Sequence, residues 1–501
     1  MKFYSEHPKG LLYLFTSELW ERFAFYGLRA LLVLYMTQKL IMTDRNAFGI
    51  FAAYMSLAYV TPLFGGIIAD KIIGLRRAII LGGILMSIGY FLLIIQTPFF
   101  FYTALAIITV GIGFFKPNMS SLTGSLYSVH DKKRESAFTI FYLGINVGGA
   151  LGPLICAWLA ISYGWQYGFF VAGITMLIGL LMFLRGLKKG VFQDKGKIPQ
   201  KSVFNQKRFG IKQGVLVNIF SLLVVPILGL VIVFHHYQKY LVAIVFFLIV
   251  AIMFLLSRKI TKPEKKRLGA VFYFVISAVV FWTLFYQIGS SLTIFAHKHV
   301  NLIGINAAQT NSINAGFIML LALPFSWLWT YLNKTKKNPN AAVKFSIGII
   351  SLGIGFLIMG MSGHFADTNA NVPMIFVFVG YFFLTTGELF VSPIGLSKME
   401  ALSPAKMTTF IIGVWFSASF FGHFFAGKMA QLITRVRPRE ADSIFNTFLE
   451  FVTGISHTDF ANQHFRNLYR FVSVFAASGL IVILIGILAF CISPRIKKLM
   501  K

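Results

Sequence analysis

The stretch LLYLFTSELWERFAFYGLRALLVLYMTQKL, residues 11–40, is a long apolar run that nevertheless carries Glu18, Glu21, Arg22 and Arg29. A charge near the middle of a bilayer is costly, so it is normally paired, turned toward a cavity and functional. At about 100° per residue, Glu18, Arg22 and Arg29 fall within roughly 40° of one another on a helix. Glu21 and Tyr26 flank that stripe. A membrane helix with a charged stripe needs a polar interior to face, so this segment points to a pathway through a membrane.

The composition of the chain fits that reading. Of 501 residues, 57% are hydrophobic and only 12% charged, with 55 phenylalanines, and the mean hydropathy is +0.75. Soluble domains carry about 25% charged residues, so an integral membrane protein is expected. The formal charge of +30 does not indicate nucleic acid, because the Lys and Arg residues sit in short loops between apolar runs and not on one soluble domain. Basic loops of that kind mark the cytoplasmic side of a membrane. Cys156 and Cys491 lie inside apolar runs, so neither a disulfide framework nor a metal site is expected. The first apolar run is too long, and too interrupted by charge, for a cleavable signal.

A span needs about 20 mostly apolar residues. On that rule the chain holds about fourteen. Six lie at roughly 11–40, 48–70, 77–97, 99–124, 137–161 and 166–186, and two at about 212–235 and 239–257. The last six lie at roughly 268–296, 309–332, 342–363, 373–397, 407–433 and 470–492. Alternate loops are basic: Lys71, Arg76 and Arg77; Lys132, Lys133 and Arg134; and the run from Lys188 to Lys212. The pattern continues with Arg258, Lys259, Lys262, Lys265, Lys266 and Arg267; Lys334, Lys336 and Lys337; and a tail with Arg495, Lys497, Lys498 and Lys501. The intervening loops are short and nearly uncharged, which puts both termini in the cytoplasm. Loop 434–469 departs from the pattern with Arg435, Arg437 and Arg439, but Glu440, Asp442, Glu450 and Asp459 accompany them.

The expected organisation is an N-terminal six-helix bundle (1–187), basic linkers with two extra membrane helices (188–267) and a C-terminal six-helix bundle (268–501). Two six-helix bundles around a central cavity is the all-α plan of major-facilitator transporters. The stretch Gly65-Gly66-Ile67-Ile68-Ala69-Asp70-Lys71, with Gly74 and Arg76-Arg77, resembles the G-G-x-x-A-D-x-x-G-R-R loop motif of that superfamily. Its glycines let helices approach closely, and Asp70 can pair with basic groups or a helix N-terminus. The motif is read as a brace and gate element, not a ligand site.

Within this frame the first bundle adds Lys116, on the fourth span, to the charges of the first. The second bundle supplies one mid-span carboxylate, Glu388, while Asn146 and Asn314 add neutral polar groups at similar depth. A ligand with a carboxylate at one end and an ammonium at the other would bridge that asymmetry. Arg22 and Lys116 would hold the carboxylate and Glu388 the ammonium, through charge-assisted hydrogen bonds roughly twice as strong as neutral ones. His7, His235, His236, His297, His299 and His364 lie near span ends and are read as interfacial.

These residues resemble a known family. Glu18-Leu19-Trp20-Glu21-Arg22-Phe23-Ala24-Phe25-Tyr26-Gly27, followed by Arg29, is similar to the E-x-x-E-R-F-x-Y-Y-G motif of proton-coupled oligopeptide transporters. Phe115-Lys116-Pro117-Asn118 resembles their K-P-N segment. Phe141-Tyr142-Leu143-Gly144-Ile145-Asn146-Val147-Gly148 resembles F-Y-x-x-I-N-x-G, and Gly387-Glu388-Leu389 through Ser392-Pro393 resembles G-E-L-x-x-S-P. The motifs keep their order along nearly the whole chain, and the two extra spans match the bacterial members.

The resemblance implies a proton-driven symporter for di- and tripeptides in the bacterial inner membrane. It implies a multi-pass chain embedded in lipid and acting as a monomer, with no cofactor beyond the proton gradient and no nucleic-acid partner. It also implies proton coupling by Glu18, Glu21 and Arg22, and a peptide carboxylate met by Arg22 and Lys116. Asn146, Asn314 and Glu388 would meet the amino terminus and first peptide unit. Tyr26 and Tyr59 would touch the peptide backbone, and Trp282 and Trp415 would line side-chain pockets. One departure stands out. Many members carry an acid shortly before a Gly-Ser in helix 7, where this chain reads Phe285-Tyr286-Gln287-Ile288-Gly289-Ser290. A gating salt bridge to Arg29 or Lys116 is then absent, or replaced by a Gln287 hydrogen bond. Two alternatives are less consistent with the residues. A nitrate or other small-anion carrier of the same fold conflicts with the cavity carboxylate Glu388. A multi-span membrane enzyme needs a catalytic constellation near an interface or a sizeable soluble domain, so the chain is read as not an enzyme.

Overall fold

The computed structural model describes residues 7–500 except 129, 130, 132, 209, 259, 405, 406 and 438–443. Of the loop charges named above, Lys132, Lys259, Arg439, Glu440, Asp442 and Lys501 lie outside the described residues. The chain is helical almost throughout. Helices α1 (Gly10–Leu34), α2 (Asp44–Ile68), α3 (Leu75–Leu92), α4 (Pro98–Ser125), α5 (Lys133–Ser162) and α6 (Trp165–Lys188) come first. After α7 (Gln213–Val233) and α8 (Gln238–Ser257) follow α9 (Lys262–Phe285), α10 (Ser291–His299), α11 (Asn311–Lys334) and α12 (Ala341–Gly360). The last are α13 (Ile375–Leu402), α14 (Thr408–Ile433), α15 (Ile444–Thr453) and α16 (Gln463–Leu499). Two short strand pairs complete the structure: β1 (Lys207–Arg208) antiparallel to β2 (Ile211–Lys212), and β3 (Val300–Asn301) parallel to β4 (Val372–Pro373).

Among the described residues, 13 helical segments are long and apolar enough to cross a bilayer. Helix α1 is outside that set because of its charges, yet its 25 residues reach about 37 Å, more than the hydrocarbon thickness of a bilayer. Helices α9 and α10 make up one span, Lys262–His299, interrupted by a 3₁₀ turn at Tyr286–Gly289. Helix ends follow local chemistry. Pro98 opens α4, where its missing N–H is not needed. Thr261 and Glu264 form a capping box before α9, and Asn340 accepts the first amides of α12. The reversals into α3 and α6 use Gly74 at φ +78° and Gly164 at φ +122°, a backbone region closed to most side chains.

The chain divides into two compact units, one of Met1–Leu40 with Ala53–His235 and one of Ile41–Ala52 with His236–Lys501. In the first, α1 packs along α5 and α6, and α3 along α4. In the second, α12 packs on α16 and α13, and α9 on α14. The opening of α2 belongs to the second unit because Gly427 of α14 sits against Ala52 and Phe48. The two extra helices fall one in each unit. The α8 span has the highest mean hydropathy, 3.0, and α7 equals α16 at 2.8, yet only 11% and 22% of the apolar windows of α8 and α7 are buried. A helix that is apolar all round and uncovered by protein is covered by lipid.

Glycines set the closest helix approaches. Pro117 cannot donate to the carbonyl of Gly113 four residues earlier, and Gly65 of α2 lies against that freed oxygen; a Cβ on Gly65 would sit 2.0 Å from it. This is the bracing role expected of the Gly65–Arg77 motif. Arg76 completes it by donating to the carbonyls of Lys195, Phe192 and Gln193. Asp70, in contrast, is exposed and makes no ion pair among the described residues. On α5, a Cβ at Gly148 would lie 2.4 Å from the Leu19 carbonyl, and one at Gly152 2.3 Å from that of Phe23. These two glycines grip the turns of α1 that carry the buried charges. Gly148→Leu is therefore expected to push α1 off α5 and to cost about 1–3 kcal/mol or more. A lower melting temperature of the purified protein would register it; an unchanged one would mean the helices part without penalty.

Candidate functional site

Helix α1 places its charges as the helical spacing predicts. Glu18, Glu21 and Arg22 are 3%, 0% and 2% exposed. Arg22 donates through Nε and Nη2 to the two oxygens of Glu21, the second bond at 2.6 Å. Glu18 is held more loosely. Its Oε1 lies 3.5 Å from Arg22 Nε, and its Oε2 is buried with no hydrogen-bond partner. The guanidinium of Arg22 also rests over the Phe25 ring at 4.7 Å. One carboxylate thus neutralises Arg22 through a fork-to-fork pair, while the other has an oxygen without a donor.

Two further cations belong to the same unit. Arg29 lies over the Tyr26 ring at 5.1 Å, and Lys116 over the Tyr59 ring at 4.4 Å. Neither has an ion-pair partner among the described residues. A cation over a π face is partly compensated and stays available to an anion. Asn146 is buried and donates to Tyr142 O of its own helix at 2.9 Å. Sequence reading passed over Tyr54 and Tyr90, whose hydroxyls are buried without a partner in the field of Glu21. Nothing in their sequence context separates them from packing tyrosines.

In the second unit, Asn314 of α11 donates to Glu388 Oε2 at 3.1 Å and to Thr385 Oγ1 at 3.0 Å. The carboxylate and amide singled out from the sequence are therefore brought together. Trp282 stacks on Tyr286, with ring centroids 5.1 Å apart, and Tyr286 stacks on His423 at 3.5 Å. The Tyr286 hydroxyl donates to Ser419 Oγ at 3.0 Å. His423 is 2% exposed in the middle of α14 and was not among the histidines read from the sequence. Lys344, also missed, is buried with its ammonium 3.8 Å from the Trp329 ring centroid. Trp415 is packed against Gly395 and Phe345.

Gln287 is bonded within its own unit. It is fully buried, and its amide nitrogen donates to Thr283 O at 3.2 Å and to Ala426 O at 2.9 Å. Its oxygen accepts from Ser291 Oγ. These bonds lie inside the second unit and tie the broken α9–α10 span to α14. Gln287 lies in the 3₁₀ break at Tyr286–Gly289, and its amide reaches back one turn to Thr283 O as well as across to α14. Gln287→Glu would replace the two donations with carboxylate oxygens facing carbonyls. It is expected to destabilise the protein by about 1–3 kcal/mol, read as a lower melting temperature. Full stability in that variant would show that the side chain can turn elsewhere.

Fourteen membrane-length helices among the described residues and ionisable side chains buried in both units define a multi-span transporter of the major-facilitator class. Comparison with known sequences and structures narrows it. A family profile described as the POT family matches residues 76–445. The uncharacterized transporter YclF of Bacillus subtilis strain 168 is 33% identical over 446 residues, covering 86% of this chain and 89% of that protein. The peptide transporter YePEPT of Yersinia enterocolitica is 34% identical over 447 residues, covering 84% and 87%. A crystal structure of a mutant peptide transporter POT in complex with alafosfalin superposes with a TM-score of 0.81 at 29% identity, covering 99% of this chain and 96% of that one. This chain belongs to the POT family. It is a transporter, not an enzyme.

Proposed function

We propose that this chain imports di- and tripeptides together with protons by alternating access. It would do so in the bacterial inner membrane, with both termini cytoplasmic and one copy as the working unit. The observation that carries the reading is the buried Glu18–Arg22–Glu21 cluster on α1, an acid–base–acid set in which Glu21 already fills the guanidinium fork. Relatives named as peptide transporters support the cargo.

In the proposed cycle Glu18 takes up the proton. Its Oε2 has no donor to lose and its contact with Arg22 is long, so neutralising it sacrifices little. Glu21 keeps Arg22 compensated. Arg29 and Lys116, with Arg22, attract the peptide carboxylate, flanked by Tyr26 and Tyr59. Glu388, oriented by Asn314, takes the peptide ammonium, and Asn146 and Trp282 serve the first peptide unit and a side chain. The proton gradient supplies the energy and no organic cofactor takes part. The experiment is uptake of a labelled dipeptide into proteoliposomes under an imposed inward proton gradient. Concentrative uptake that collapses with a protonophore is expected; uptake indifferent to the gradient would refute the symport.

A further inference from the structure

The second unit contains a basic pocket that no step of the proposed cycle uses. It is a cavity of about 420 Å³, within the size range of ligand sites. Its charged walls are Asp44, Arg45, Lys298 and Arg470, and Ile433 and Phe471 supply an apolar side. Asp44 is committed, with Oδ2 2.6 Å from Lys298 Nζ. Arg45 and Arg470 have no ion-pair partner among the described residues, and Arg470 Nε is buried with no hydrogen-bond partner. The backbone of Arg45 is fixed, because its carbonyl accepts from Gln431 Nε2 at 3.0 Å.

The depth of the pocket narrows the ligand. Helix α2 starts at Asp44, α10 stops at His299 and α14 stops at Ile433, while Arg470 lies in the second turn of α16. All four helices therefore present their water-side ends there, at the level of lipid headgroups. Two guanidinium groups without an ion-pair partner among the described residues match the oxygens of a phosphate, which arginine holds through paired N–H donors. The apolar wall next to them suits the first carbons of a lipid, a feature a bare inorganic ion cannot use. In the proposed orientation α2 starts on the outer side of the membrane, so the lipid is one of the outer leaflet, held by the same arginine–phosphate chemistry that basic pockets use at the inner face.

We propose that this pocket binds the phosphate of an anionic phospholipid, with Arg45 and Arg470 donating to its oxygens and Ile433 and Phe471 against its glycerol end. The test uses the purified full-length transporter and native mass spectrometry. The protein is titrated separately with phosphatidylglycerol, with phosphatidylcholine, and with phosphatidylglycerol plus excess inorganic phosphate. Retention of phosphatidylglycerol over phosphatidylcholine is expected, with about tenfold weaker retention in Arg45→Gln and in Arg470→Gln. Arg45 is exposed, so Arg45→Gln keeps the fold and carries the test if Arg470→Gln does not. Displacement of the lipid by inorganic phosphate, lost in the same variants, would assign the oxyanion site to a soluble ion and overturn the lipid as its occupant. Equal retention of both lipids, or retention unchanged in the arginine variants, would overturn the site itself.

Discussion

Glu18→Gln is expected to abolish gradient-driven peptide accumulation while leaving counterflow exchange of peptide in place. The amide copies the neutral acid. It removes no ion pair that Arg22 depends on, because Glu21 holds that guanidinium through both oxygens, so the variant should fold and bind peptide. It has no proton to release, so the gradient has nothing to act on. Glu21→Gln should behave differently. It leaves Arg22 buried with only the long contact to Glu18, and breaking a buried pair by removing one partner costs about 3–5 kcal/mol. That variant should lose stability and exchange together with accumulation. Accumulation at the wild-type level in Glu18→Gln, measured in proteoliposomes under an inward proton gradient, would remove Glu18 from the coupling role. Intact stability and exchange in Glu21→Gln would reverse the assignment of the two acids.

The contrast between Glu18 and Glu21 could not be read from the sequence, although the cluster could. Helical spacing puts Glu18 and Arg22 on one stripe, and burial in a membrane makes the set conspicuous. Which carboxylate wins the guanidinium fork is a matter of rotamers, and spacing favours neither. The helices were legible for the same reason the charges were: apolar runs of membrane length leave few other readings, and α7 and α8 are the simplest case. The interruption of the Lys262–His299 span at Tyr286–Gly289 was not legible, since its apolar run continues without a proline. A polar residue in a membrane helix suggests a gate; here the Gln287 amide also satisfies the carbonyls of Thr283 and Ala426. His423 escaped notice because a lone histidine inside a phenylalanine-rich helix carries no spacing signal; only the stack on Tyr286 distinguishes it.

Glu388→Gln is expected to weaken dipeptides with a free amino terminus far more than their N-acetylated counterparts. In the second unit Glu388 is a carboxylate in the membrane interior, and Asn314 and Thr385 shape its surroundings. Asn314 donates to one carboxylate oxygen and shares its amide with Thr385, so a neutral donor helps to orient the acid. An acid oriented in this way is suited to an incoming cation. A charge-assisted hydrogen bond to a desolvated ammonium contributes about 1.5–3 kcal/mol, or roughly 10- to 150-fold in affinity. The glutamine keeps the shape and the bond to Asn314 but not the charge. An acetylated peptide, lacking the ammonium, should be affected little by the change. Asn314→Ala should fall between the two, since it leaves the charge and loses its orientation. Binding of matched free and acetylated dipeptides to wild type and the two variants measures this directly. Equal losses for both ligands in Glu388→Gln would mean that this carboxylate braces α11 against α13 and does not meet the peptide.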